Sequence, residues 1–167
     1  MKNINKLDMY LRSLPTAKFI LIMTLISYIV VILIAIMSFF MKIDIGGPEV
    51  EEVPVVLLFL IFVIIIPIFE TFIYQFLIIR VLKKFNFFKS RKLLMVLISA
   101  VFFGTGHLYS IYYIFFAFVL GLPLAYAFVI YEDKKVSAFW VTTAIHGLIN
   151  GVSVVIVTLE ILYQKFF

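Results

Sequence analysis

Few side chains in this 167-residue chain can move a proton or hold an ion inside an apolar protein. Glu70 is the one carboxylate deep in an apolar run, with Thr71 and Gln75 beside it. His107 and His146 are the only histidines, and Asn150 follows His146 by four residues. Imidazole and carboxylate exchange protons, whereas an amide donates hydrogen bonds with no change of charge. Residues four apart share a helix face, so His146 and Asn150 can present a ring and an amide to one cavity. Gly147 and Gly151 share the next face, a small-xxx-small spacing read as helix packing. Phe103 stands four before His107, but with 20 Phe in the chain it is assigned no chemical role. Cysteine is absent, which excludes disulfides, thiolate metal sites and thiol nucleophiles.

The elements that must position these residues are set by composition. Hydrophobic residues make up 65% of the chain and charged ones 14%, with a mean hydropathy of +1.22, far from the balance of a soluble domain. At about 20 apolar residues per span, the sequence predicts an all-α polytopic transmembrane bundle of about five spans, near 18–41, 54–80, 93–108, 111–131 and 136–162. Residues 1–17 form a cytoplasmic amino-terminal segment and 18–163 one transmembrane domain. The first apolar run is too long for a signal-peptide core and lacks an A-x-A-like cleavage site, so it is read as a retained span. Residues 93–131 carry no charge and exceed one crossing, so they must turn back, near 107–113.

The net charge of +5 comes from basic residues arranged as membrane topology requires, and nucleic acid is not an expected partner. Lys2, Lys6, Arg12 and Lys18 precede the first span, and Arg80, Lys83, Lys84, Lys89, Arg91 and Lys92 fill the second loop. The first loop sets Lys42 against Asp44, Glu49, Glu51 and Glu52, the third is uncharged, and Lys134 and Lys135 lie in the fourth. The amino terminus is therefore expected in the cytoplasm and the carboxyl terminus outside, in a bacterial cytoplasmic membrane. The basic second loop is also suited to anionic lipid. Glu160, with Lys165 close by, is read as interfacial.

Ionisable groups buried in a bilayer are costly and usually face a protein interior. At a rise of about 1.5 Å per residue from the cytoplasmic ends, Glu70 lies roughly 15 Å deep, His146 roughly 16 Å, and Asn150 and His107 roughly 22 Å. His107 would be displaced if its helix broke at Gly104 or Gly106. Each polar residue also has a plain reading: an intramembrane histidine can be a packing residue and an asparagine can tie helices together. Convergence of both histidines and the deepest carboxylate at mid-membrane favours a shared site.

The residues stand in three motifs in order: Glu70-Thr-Phe-Ile-Tyr-Gln75, Phe103-Gly-Thr-Gly-His107 and His146-Gly-Leu-Ile-Asn150. The arrangement, within residues 55–157, resembles the CPBP (Abi) family of type II CAAX prenyl endopeptidases and bacteriocin-processing and self-immunity membrane proteins. Its motifs read E-E-x-x-x-R, F-x-x-x-H and H-x-x-x-N or B. The second and third match; in the first, Thr71 replaces a Glu and Gln75 an Arg. Losing both members of an i,i+4 ion pair keeps the site electrically balanced, and Thr71 and Gln75 are expected to hydrogen-bond in its place.

The resemblance implies an intramembrane endopeptidase acting on a membrane-associated peptide or protein tail. Glu70 with His107 would activate water, His146 and Asn150 would hold the oxyanion, and Thr71 and Gln75 would support them. Glu70, His107 and His146 could also form a two-His, one-carboxylate zinc set; absence of a compact zinc motif tilts the expectation toward no obligatory metal. The alternatives are a non-catalytic immunity or scaffold protein and, with neither internal repeats nor interrupted helices in corresponding halves, a small transporter.

Overall fold

The computed structural model describes residues 2–48, 50 and 53–166. Glu49, Glu51 and Glu52, and the side chains of Lys2 and Lys165, on which parts of the charge reading rest, lie outside that description. Among the described residues there are seven helices and no strand, the all-α bundle expected.

The first helix, α1 (Lys2–Ser13), falls where only an amino-terminal segment is expected from hydropathy. Pro15 separates it from α2 (Thr16–Met41), because proline disfavours helical backbone at the residue before it. Leu11 of α1 is buried in the core, whereas Leu7, Met9 and Tyr10 are exposed. Arg12 bonds Asp8 at 2.7 Å and reaches Asp133 at 3.3 Å, and Tyr126 donates to Asp8 at 3.0 Å. The Arg12 guanidinium holds the Asp8 carboxyl below its usual range, and Lys92, 2.9 Å away, does the same for Asp133. Arg80 and Lys83 pair with Glu132, whose side chain is largely enclosed. The acidic pair Glu132-Asp133 thus ties the basic ends of several helices together.

Helix α3 (Val55–Lys83) follows Pro54 and contains two π-helical stretches, Phe59–Ile65 and Thr71–Leu77. A short α4 (Asn86–Lys89) leads to α5 (Lys92–Thr105), then α6 (Ile111–Tyr131) and α7 (Ala138–Phe166). Four helices, α2, α3, α6 and α7, are long and apolar enough to cross a membrane. The fifth expected span is α5, whose 14 residues extend only about 21 Å against a roughly 30 Å hydrocarbon core. It ends at Gly106, whose N–H returns to the carbonyls of Phe102 and Phe103, so His107 lies beyond the helix and not within it. The chain turns back through 106–110, as the length of the uncharged stretch requires.

Helix α6 is the most enclosed, burying Leu120, Leu124, Phe128 and Tyr131 among its neighbours. Helix α2 instead turns Leu21, Leu25, Ile29, Ile32 and Leu33 outward, a face suited to lipid.

Candidate active site

The site is built where α3, the end of α5 and α7 meet. Glu70 closes the α-helical stretch Ile66–Glu70 that separates the two π-helical stretches of α3. Pro67 has no N–H to give to the preceding turn, and the N–H of Ile66 reaches back five residues to Ile61. The carbonyl of Phe62 in this wide turn accepts a hydrogen bond from the Asn150 amide at 2.9 Å. In the second π-helical stretch the Tyr74 carbonyl accepts from Ser99 of α5 at 2.7 Å. Each irregular stretch thus binds one neighbouring helix, and Glu70 sits between the two attachments.

Close approach at these attachments depends on two glycines. A Cβ on Gly147 would come within 2.7 Å of the Val63 carbonyl oxygen, so α7 could not lie so near α3 with any other residue there. A Cβ on Gly106 would collide with the Tyr74 ring, which packs against Phe103. The helix-packing reading describes Gly147; Gly151 has only ordinary contacts at that point.

Three of the sequence-predicted residues meet directly. His107 Nε2 is 3.2 Å from Glu70 Oε1, and His146 Nε2 is 3.4 Å from Glu70 Oε2. His107 Nδ1 is 2.7 Å from the Phe103 carbonyl, an acceptor only, so this nitrogen carries a proton. The Nε2 and Oε1 atoms would then be two bare acceptors facing each other unless Glu70 and His107 share a proton. His146 is only 2% exposed, and its Nδ1 has no partner among the described residues. A charged ring there would bury an N–H without an acceptor, so the neutral tautomer donating from Nε2 to Glu70 satisfies the site better.

Phe103, given no role from sequence, is part of this arrangement. Its ring lies 4.7 Å from that of His107 and 5.6 Å from that of His146, and its carbonyl fixes the His107 tautomer. Tyr113 stacks on the imidazole of His107 at 5.8 Å. The four-residue spacing before His107 was the available signal for Phe103; Tyr113 had none beyond its place in the turn.

Thr71 and Gln75 are fully buried, and among the described residues neither the Thr71 hydroxyl nor either atom of the Gln75 amide has a hydrogen-bond partner. The expected bond between them does not form. Both lie in a π-helical stretch, where the α-helical relation between residues four apart no longer holds.

Glu70, His107, His146 and Asn150 border one cavity of about 410 Å³. Two histidines and a carboxylate are a suitable donor set for zinc, but no group of three such side chains among the described residues converges to hold a metal. Each Nε2 instead faces its own Glu70 oxygen at hydrogen-bond distance.

A helical membrane bundle with a carboxylate and two histidines beside an internal cavity defines the class: a membrane-embedded protein with a polar site. A family model for the Rce1-like type II CAAX prenyl endopeptidases matches residues 52–152, and the chain belongs to that family. No curated protein and no solved structure matches it significantly. Family membership marks the chain as one of a group of membrane peptidases, and its match spans all three motifs.

Proposed function

We propose that this protein hydrolyses a peptide bond in a membrane-associated peptide or protein tail at the Glu70 site, without an obligatory metal. The observation that carries the reading is that the two oxygens of one carboxylate each face a different histidine at the side of a cavity. Water adds to the scissile carbonyl carbon as its proton passes to the Glu70–His107 pair. The C–N bond then breaks, and the pair returns the proton to the leaving nitrogen. As Glu70 takes up that proton, His146 Nε2–H turns from the carboxyl to the oxyanion, which it stabilises with the second amide hydrogen of Asn150, the first being held by Phe62. CAAX-type processing and the processing of bacteriocins or other exported peptides all use this chemistry.

A second reading, a non-catalytic immunity or scaffold protein, is favoured by Thr71 and Gln75. They replace the acid and base of the family pattern and leave three buried polar atoms without partners among the described residues. Mass spectrometry of candidate prenylated tails and leader peptides incubated with purified protein in detergent separates the two readings. A shortened product supports hydrolysis, and intact peptides with preserved protection of the producing cell support the second reading.

A further inference from the structure

The cavity runs away from the basic end of the bundle. Its lining holds Glu70, His107 and His146 and extends to Gly46, Tyr109 and Val157. These three belong, respectively, to the segment after α2, the turn between α5 and α6, and the late part of α7. Arg80 and Lys83 lie at the end of α3, Lys92 begins α5, and Lys134 follows α6. Each is at the opposite end of the helices that line the cavity. Lys and Arg mark the cytoplasmic side of a membrane protein, so the cavity mouth faces the other side.

The cavity lining also restricts what can occupy it. Among the described residues, no Lys or Arg contributes to it and Glu70 is its only carboxylate. An acidic side chain of a substrate would lose water and find no cation among these residues, a cost of several kcal/mol for an unpaired ion, and a basic one could pair only with Glu70, the group the reaction needs free. A terminal carboxylate likewise meets no cation. Phe62, Phe116, Leu120 and Ile149 offer apolar contact instead, and the volume falls within the roughly 300–1,000 Å³ of ordinary ligand sites.

A fixed cover borders the mouth. Ser110 donates to the Ile45 carbonyl at 2.5 Å and accepts from the Tyr113 N–H at 2.9 Å. The segment after α2 is thereby joined to the start of α6, beside the Tyr113 ring that stacks on His107.

We infer that the site is reached from the non-cytoplasmic side by an uncharged, apolar internal segment of an exported or membrane-spanning peptide. The inference rests on the hydrolytic reading for what happens to that segment, but not for the side of access or the chemistry of the occupant.

The chain has no cysteine, so single-cysteine variants report cleanly. Ser153→Cys places a thiol in the cavity one turn from Asn150, and Lys89→Cys places one on the exposed basic loop. Intact cells are treated with a small, charged, membrane-impermeant methanethiosulfonate. Ser153→Cys is expected to react, and Lys89→Cys to react only after permeabilisation; Tyr109→Cys at the mouth serves if Ser153→Cys accumulates poorly. In detergent, a short uncharged peptide of leucine, alanine and serine is added to protein carrying Ser153→Cys and Glu70→Gln. At about ten times its Kd it should slow modification roughly tenfold, whereas the same peptide with a central lysine or aspartate should not. Reaction of Ser153→Cys only after permeabilisation, or equal protection by charged and uncharged peptides, overturns the inference. External labelling and selective protection without cleavage of that or any candidate peptide by protein retaining Glu70 would leave it standing and sink the hydrolytic reading. Cleavage by protein labelled only from inside would do the reverse.

Discussion

Asn150 of α7 donates to the backbone carbonyl of Phe62 in α3 at 2.9 Å, so the last motif residue holds two helices together as well as facing the cavity. Asn150→Ala removes both functions at once. The unpaired Phe62 carbonyl should lower stability by about 1–3 kcal/mol, and loss of an oxyanion donor should lower turnover by roughly 100- to 1000-fold. Thermal unfolding and single-turnover cleavage, measured on one preparation, separate the two effects. A stability loss with unchanged turnover would confine Asn150 to the structural part.

Phe103 gives a second test, since its carbonyl and its ring act on the same histidine. Phe103→Leu keeps the carbonyl and removes the ring from both imidazoles. We expect a core-packing loss of about 1–3 kcal/mol and a fall in kcat larger than any change in KM. A change in KM alone, seen in steady-state kinetics, would assign the ring to substrate contact instead.

Thr71 and Gln75 bury polar atoms without partners among the described residues. Replacing an unsatisfied buried group by an apolar one of similar shape is near neutral or stabilising. Thr71→Val and Gln75→Met should therefore leave the unfolding temperature in detergent unchanged or raised, with less than about a tenfold change in turnover, since neither touches the reacting atoms. A loss of about 1–3 kcal/mol would reveal hydrogen bonds made by these groups in the membrane.

The spans could be read from the sequence because apolar run length and bilayer thickness are one physical quantity, which is why α2, α3, α6 and α7 fall close to their expected positions. The meeting of Glu70, His107 and His146 was legible because polar groups in a membrane must face one another or a cavity. Helix α1 was not, since its charged and apolar residues alternate around the axis and no hydropathy window registers it. The glycines at 104 and 106 marked where α5 could break, but that it ends there, with the Tyr74 ring beside Gly106, involves a contact from another helix. The π-helical stretches around Glu70 were hidden for a similar reason: the carbonyls of Phe62 and Tyr74 accept from Asn150 and Ser99, which are distant in sequence.

Metal removal tests the chemistry from another side. With each histidine Nε2 facing its own carboxylate oxygen, activity should survive dialysis against a strong chelator with less than about a twofold loss, well under the several kcal/mol a Lewis-acid metal supplies. Abolished cleavage that zinc restores would move Glu70, His107 and His146 into the role of ligands.

If Glu70 acts as the base, Glu70→Gln removes that base with little change of size or hydrogen bonding. Peptide cleavage should fall by roughly two to four orders of magnitude, the usual contribution of general-base catalysis. Expression and thermal unfolding should stay close to those of the parent, because an amide can still meet both histidines. Cleavage at the parent rate by well-folded Glu70→Gln protein would contradict the account and leave the three motifs with a non-catalytic role.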